Sequence, residues 1–124
     1  MPALFSELAV AHMPFVLSQS NIGPVTLLEL GARLVIDNVP ELRDTLQSLA
    51  DQGHLDLLLD CSRITAVDSQ GIGSLVGNWV SLKNRSGKLK LLRPSPRLHQ
   101  VLQVVGLHKV IESFDDIGPA LRSF

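Results

Sequence analysis

The sequence predicts an α/β fold: a small mixed β-sheet of four to five strands with about four helices packed on it. Two observations carry this. From residue 38 onward, apolar runs of strand length alternate with stretches whose apolar residues recur at helical spacing. A pair of strand-like runs around a short turn precedes them, which is the pattern of a hairpin. Strands separated by single helices need crossover connections, so part of the sheet pairs in parallel.

Residues 1–14 are expected to form an N-terminal extension, weakly helical over 4–11, and 15–124 the domain proper. Phe5, Leu8 and Val10 either pack on the sheet or form a docking stripe. Residues 15–19 and 24–31 are expected as strands joined by the turn Ser20-Asn21-Ile22-Gly23. Asn38 has the character of an N-cap, with Glu41 three residues later completing a capping box. Val39, Leu42, Leu46, Leu49 and Ala50 follow at helical spacing, and Gly53 is placed to end that helix. Leu55-Asp56-Leu57-Leu58-Leu59 is a buried strand, apolar on both faces as in a covered sheet. A helix from Ser69 carries Ile72, Leu75, Val76, Trp79 and Val80 on one face. Lys88 to Leu92 is the next strand. Ser95 caps a helix whose first residue is Pro96; Leu98, Val101, Leu102 and Val105 form its stripe and Gly106 stops it. Val110-Ile111 is expected as a short strand. Asp115 or Asp116 caps a last helix that buries Ile117, Ala120, Leu121 and Phe124.

Composition removes several classes of function. The 124 residues suit one domain, and 45% hydrophobic content supplies a core. Net charge is −1 and the pI about 6.4, with the Lys and Arg residues scattered, so no basic stripe for nucleic acid is present. Tyrosine is absent and there is one Trp, which argues against a base-stacking surface. No apolar run approaches the roughly 20 residues that span a bilayer, so no direct membrane insertion is expected. The single cysteine, Cys61, rules out an internal disulfide. Together with an N-terminus lacking a positive n-region, it favours the cytoplasm. His12, His54, His99 and His108 lie far apart, without metal-ligand spacing. Neither a metal nor another cofactor is expected. No nucleophile or acid–base constellation is visible, which argues against an enzyme.

The most informative stretch runs from Leu57 to Gly73. A leucine-rich strand and a short loop lead to Asp68-Ser69-Gln70-Gly71-Ile72-Gly73 at the mouth of a helix. One hydroxyl, that of Ser69, is placed at or beside the N-cap, where a phosphate is electrostatically favoured. The plainer alternative is that Ser69 is a structural N-cap, and Asp68 a cap or turn residue. No Gly-x-Ser-x-Gly elbow surrounds Ser69. In Gly71-Ile72-Gly73 followed by Gly77, the third glycine comes one residue too late for a dinucleotide fingerprint. Gly73, Gly77 and Ser81 recur every four residues, with Ser74 beside them. They either receive a partner helix or lie under a neighbouring helix of the same domain. Cys61 has the character of a small buried hydrophobe. Trp79 is either core or a partial surface anchor.

The Asp-Ser-x-Gly-x-Gly turn after a Leu-rich strand resembles the STAS domain of bacterial anti-sigma factor antagonists. Arg93-Pro94-Ser95-Pro96, Leu98, Leu102 and the run from Val105 to Ile111 look like that family's last helix and closing strand. Leu30 to Leu42 sits where its first loop and helix stand. The resemblance covers about residues 15–122 and implies a STAS-like fold. It also implies a module that, unphosphorylated, binds an anti-sigma factor serine kinase and so frees a sigma factor. The kinase then modifies Ser69 with ATP, and a PP2C-type phosphatase reverses the change. In that scheme Leu34, Val35, Ile36, Asp37 and Asn38 supply part of the docking surface. Asp68 shapes the phosphoacceptor turn beside Ser69 and Gln70, and Gly71 and Gly73 admit the kinase closely. Two positions depart from the family. Ala32-Arg33-Leu34-Val35 stands where it often has Gly-Glu-Leu-Asp, and Gln70 where it often has a second Ser or Thr. The rival from another class is an accessory subunit of a lipid or anion transport system, which uses the same fold. A scaffold subunit of a signalling assembly is a third.

Overall fold

Gly23 and Pro24 make the first turn, two residues later than the sequence pattern suggests. The computed structural model describes residues 14–124, so the expected helix over 4–11 and the roles of Phe5, Leu8 and Val10 lie outside the described residues. Strand β1 (Val16–Ile22) continues through Ser20, Asn21 and Ile22, which pair antiparallel with Leu27, Thr26 and Val25 of β2 (Val25–Leu30). Gly23 supplies the positive φ (59°) that a two-residue hairpin loop needs, and Pro24 follows where no ladder donor is required. The Thr26 hydroxyl donates to the Asn21 side chain at 3.0 Å and closes that end.

Strand β3 (Arg33–Leu34) is two residues long, and a 3-10 turn (Ile36–Asn38) leads from it into helix α1 (Val39–Asp51). The expected capping box is not formed. The Asn38 backbone is already helical (φ −103°, ψ −3°), because the 3-10 turn runs straight into the helix, so its side chain is not aimed at the first turn. Its amide instead donates to the Arg33 carbonyl at 2.7 Å. The Glu41 carboxylate is used elsewhere, accepting the Phe15 and Val16 backbone N–H groups at 2.9 Å each. The other end of α1 follows expectation. Gly53 adopts φ 89°, its N–H donates to Ala50 and that of His54 to Leu49, the paired closure of a Schellman motif.

The remaining elements are β4 (Asp56–Asp60), β5 (Ala66–Val67), α2 (Ser69–Asn84), β6 (Lys88–Leu92), α3 (Pro96–Val104), β7 (Ser113–Phe114) and α4 (Ile117–Arg122). Five strands form one mixed sheet in the order β1-β2-β4-β6-β7, antiparallel only between β1 and β2. The pair β3–β5 forms a separate parallel ribbon. Val110-Ile111 is not a strand. After Gly106 (φ 79°) the chain makes a 3-10 turn, Ile111 is buried as a plug in the core, and Ser113-Phe114 make the pairing with Leu91 and Leu92.

Leu57 and Leu59 of β4 face the larger core together with α1, α2 and α3, while Leu58 faces the smaller core under α4. The apolar run of β4 is thus read out on both faces of a covered sheet. On α2 the buried positions are Gly71, Leu75, Asn78 and Leu82; Ile72 and Trp79 pack at the margin of the core, and Val80 is 41% exposed. The stripe is turned from the expected one to include Asn78, whose burial is tolerated because its amide donates to the Ser74 carbonyl at 2.8 Å. On α3, Leu98 and Leu102 are buried but Val105, just past the helix, is exposed. Ser95 caps α3 as expected, accepting the Leu98 N–H at 3.1 Å. Asp116 occupies the cap position of α4 and makes no side-chain cap bond.

Candidate functional site

The ribbon β3–β5 assembles the site. Arg33 lies opposite Ala66 and Leu34 opposite Val67, so the segment after β3 runs beside the entry to α2. Asp68 joins the two. Its backbone is extended (φ −115°, ψ 177°) and its N–H donates to the Leu34 carbonyl at 3.3 Å. One carboxylate oxygen accepts the Gly71 N–H at 2.7 Å, which caps α2. The other accepts the Ile36 N–H at 3.0 Å. The Gly71 and Ile36 N–H groups together hold the Asp68 carboxyl below its ordinary value, with a further contribution from the Arg33 charge.

Ser69 is therefore not the cap. It is the first residue of α2, exposed, and its hydroxyl makes no hydrogen bond among the described residues. Gln70 beside it is exposed as well. Gly71 is buried, and a Cβ there would strike the Leu34 carbonyl. The close approach it permits is that of its own chain. Gly73 is open, with nothing within 4 Å of a Cβ. In the neighbouring segment Leu34 and Val35 are 1% and 8% exposed, so their side chains serve the core rather than a docking surface. Ile36, at 56%, and Asp37 face outward; Asn38 is half-buried and tied to Arg33. The outward set thus reduces to Ile36, Asp37, Ser69, Gln70 and Gly73.

Gly77, Ser74 and Ser81 line a shallow cleft of about 230 Å³ with Val39, Arg43 and Gln47 of α1. Helix α1 lies alongside the small-residue stripe without covering Gly73 or Gly77. No group of three potential metal ligands exists among the described residues. Cys61 is fully buried, and burial together with the Asp60 charge pushes its thiol up, away from the reactive thiolate. Burial also pushes Asp60 up, but hydrogen bonds from Arg93 (2.9 Å) and the Ser62 N–H (3.0 Å) outweigh it and hold the carboxyl low. No helix of the described residues is long and apolar enough to cross a membrane.

The Asp68–Ile36 bond and the part played by Arg33 join segments more than 30 residues apart and leave no local pattern. The one sequence signal is Arg33 itself, in the departure at Ala32-Arg33-Leu34-Val35.

Comparison with known proteins follows the same lines. The family profile described as the STAS domain matches residues 18–120. A Bacillus subtilis protein named anti-sigma-B factor antagonist is 32% identical over 85 residues, which are 68% of this chain and 77% of that protein. The crystal structure of a candidate anti-sigma factor antagonist from Thermotoga maritima superposes with a TM-score of 0.80 at 21% identity, covering 93% of this chain and 97% of that one. The phosphorylated form of the Bacillus cell-fate determinant SpoIIAA superposes with a TM-score of 0.67 at 22% identity, covering 86% of this chain and 98% of that one. With most of its length matched by the family profile, the chain belongs to the STAS domain family.

Proposed function

We propose that this protein is an anti-sigma factor antagonist switched at Ser69. Unmodified, it binds an anti-sigma factor that is a serine kinase, and so releases a sigma factor to transcription. The observation that carries the reading is the free hydroxyl of Ser69, exposed on the first turn of α2 while its neighbour Asp68 does the capping. Modification there need not disturb the fold. The Ser69 oxygen attacks the γ-phosphorus of the kinase's ATP, the bond to the ADP oxygen breaks, and the hydroxyl proton passes to a base on the kinase.

The phosphate adds about −1.5 to −2 charges. The α2 dipole favours that charge by roughly 0.3–1 kcal/mol, and Asp68 opposes it. The net effect on folding is small. A docked partner meets like charge and a desolvation penalty of several kcal/mol, and about 1.4 kcal/mol is tenfold in affinity. Ile36 and Asp37 extend the contact beyond the serine. A PP2C-type phosphatase restores the binding form. The ATP and the catalytic groups belong to the partners, and this chain acts as a binding module in the cytoplasm. The names of the curated relatives favour this reading over a transport subunit.

Mass spectrometry of the protein from its host should find phosphate on Ser69. A pull-down should retain the kinase with Ser69→Ala and lose it with Ser69→Asp. Equal retention by the two variants would overturn the switch.

A further inference from the structure

Arg33 and Asp68 share one outward face. Side chains alternate along a strand, so Leu34 turns inward, where it is buried, and Arg33 turns out beside its partner Ala66. Asp68, two residues past Ala66, returns to that outward side as a diagonal neighbour within reach of a long side chain. The Arg33 charge is felt there, contributing to the low-lying carboxyl of Asp68. That carboxylate is already engaged by Gly71 and Ile36. Arg33 is exposed and belongs to no ion pair among the described residues. A guanidinium fixed in register by a backbone ladder, without an anion of its own, therefore stands next to the corner that carries Ser69.

We propose that Arg33 is the cation that receives the phosphoryl group when Ser69 carries one. The inference rests on the reading of Ser69 as phosphoacceptor and adds how the modified state is held. A phosphoserine presents three acceptor oxygens, and a guanidinium donates two parallel N–H groups to such an anion. The pair offsets the repulsion that Asp68 and Asp37 exert on the phosphate. It also withdraws the only cation between Gly31 and Asn38 from an incoming partner. Modification then changes the docking surface twice, adding negative charge and masking positive charge. Arg63 is not equivalent, because it is already paired with Glu29 at 3.1 Å.

The test uses the full chain with phosphoserine incorporated at position 69 during translation, titrated by phosphorus NMR. The expected midpoint lies below the value of about 6 usual for phosphoserine. Arg33→Gln should raise it by about 0.5 pH, Arg33→Lys should recover part of the difference, and Arg63→Gln should leave it in place. High salt should narrow the gap between the parent and Arg33→Gln. A midpoint that ignores Arg33→Gln, or that moves equally with Arg63→Gln, overturns the pairing. If Arg33→Gln loses its native amide spectrum, the comparison of Arg33→Lys with the parent decides, an identical midpoint and salt response counting against the pair. Absence of phosphate on Ser69 in the host would defeat the proposed function without touching this result. An Arg33-independent midpoint would defeat the pairing and leave the switch standing.

Discussion

Gly71 and Gly73 are two residues apart and meet opposite surroundings. Gly71 lies against the Leu34 carbonyl, backbone to backbone, so no rotamer change can make room for a methyl group. Gly71→Ala should destabilise the domain by about 1–3 kcal/mol in urea unfolding. Gly73 opens to solvent in mid-helix, and Gly73→Ala should stabilise it by about 0.5–1 kcal/mol. A neutral Gly71→Ala would mean that the helix start and β3 are not in contact. Asp68 offers a second check at this scale. Its folded pKa is depressed, so its contribution is fully present above the ordinary aspartate value of about 3.9 and is lost as pH falls through the lower folded value. The amide resonances of Ile36 and Gly71 should move together in acid, with one midpoint below about 3.9, and Asp68→Asn should abolish that shared titration.

At the scale of elements, local signals were legible and distant ones were not. Ser95 and Pro96, or Gly53 after α1, act on groups within a few residues, and both behave as their sequence pattern predicts. Glu41 does not complete a capping box because its carboxylate is taken by Phe15 and Val16 at the entry to β1, 26 and 25 residues away. Strands β3 and β5 are two residues each, too short for any periodicity, yet they bring Ile36 to Asp68 across 32 residues. The serine and its cap could be read from the motif; their coupling to the neighbouring segment could not. Helix α4 hides another long-range tie. Lys90, in the middle of β6, is 7% exposed. Its ammonium donates to the Ser123 carbonyl (2.8 Å) and hydroxyl (3.0 Å) and lies 4.9 Å from the Phe124 ring centre. Lys90→Met keeps the apolar stem and removes those bonds, at a cost of about 2 kcal/mol. Amide exchange should quicken over 117–122 while α1 stays protected; uniform loss of protection would place the role of Lys90 in the sheet instead.

At the scale of the whole fold, the described residues form a sheet with three helices on one face and a single short one on the other. That imbalance is only half legible in the sequence. The leucine run of β4 announced two covered faces, but nothing local said how thin the second cover would be. Acid tolerance belongs to this scale too, because Asp60 and Asp68 anchor different parts of the chain and both have depressed folded values. Both contributions hold above about pH 3.9 and fade as each folded value is crossed. Arg93→Ala removes the strongest group holding Asp60 low. The variant should therefore start less stable near neutral pH and lose less stability than the parent as pH falls through the acid range. Circular dichroism melts across the acid range check this, and an equal acid-induced loss in variant and parent would mean that Arg93 does not hold Asp60.

Cys61 sits directly after β4, sealed from solvent, with its N–H bonded to the Leu92 carbonyl at 2.9 Å. A colorimetric thiol reagent mixed with the native protein must wait until that end of the sheet comes apart. The molecule thus carries its own stopwatch, and the rate at which colour develops counts how often the interior opens.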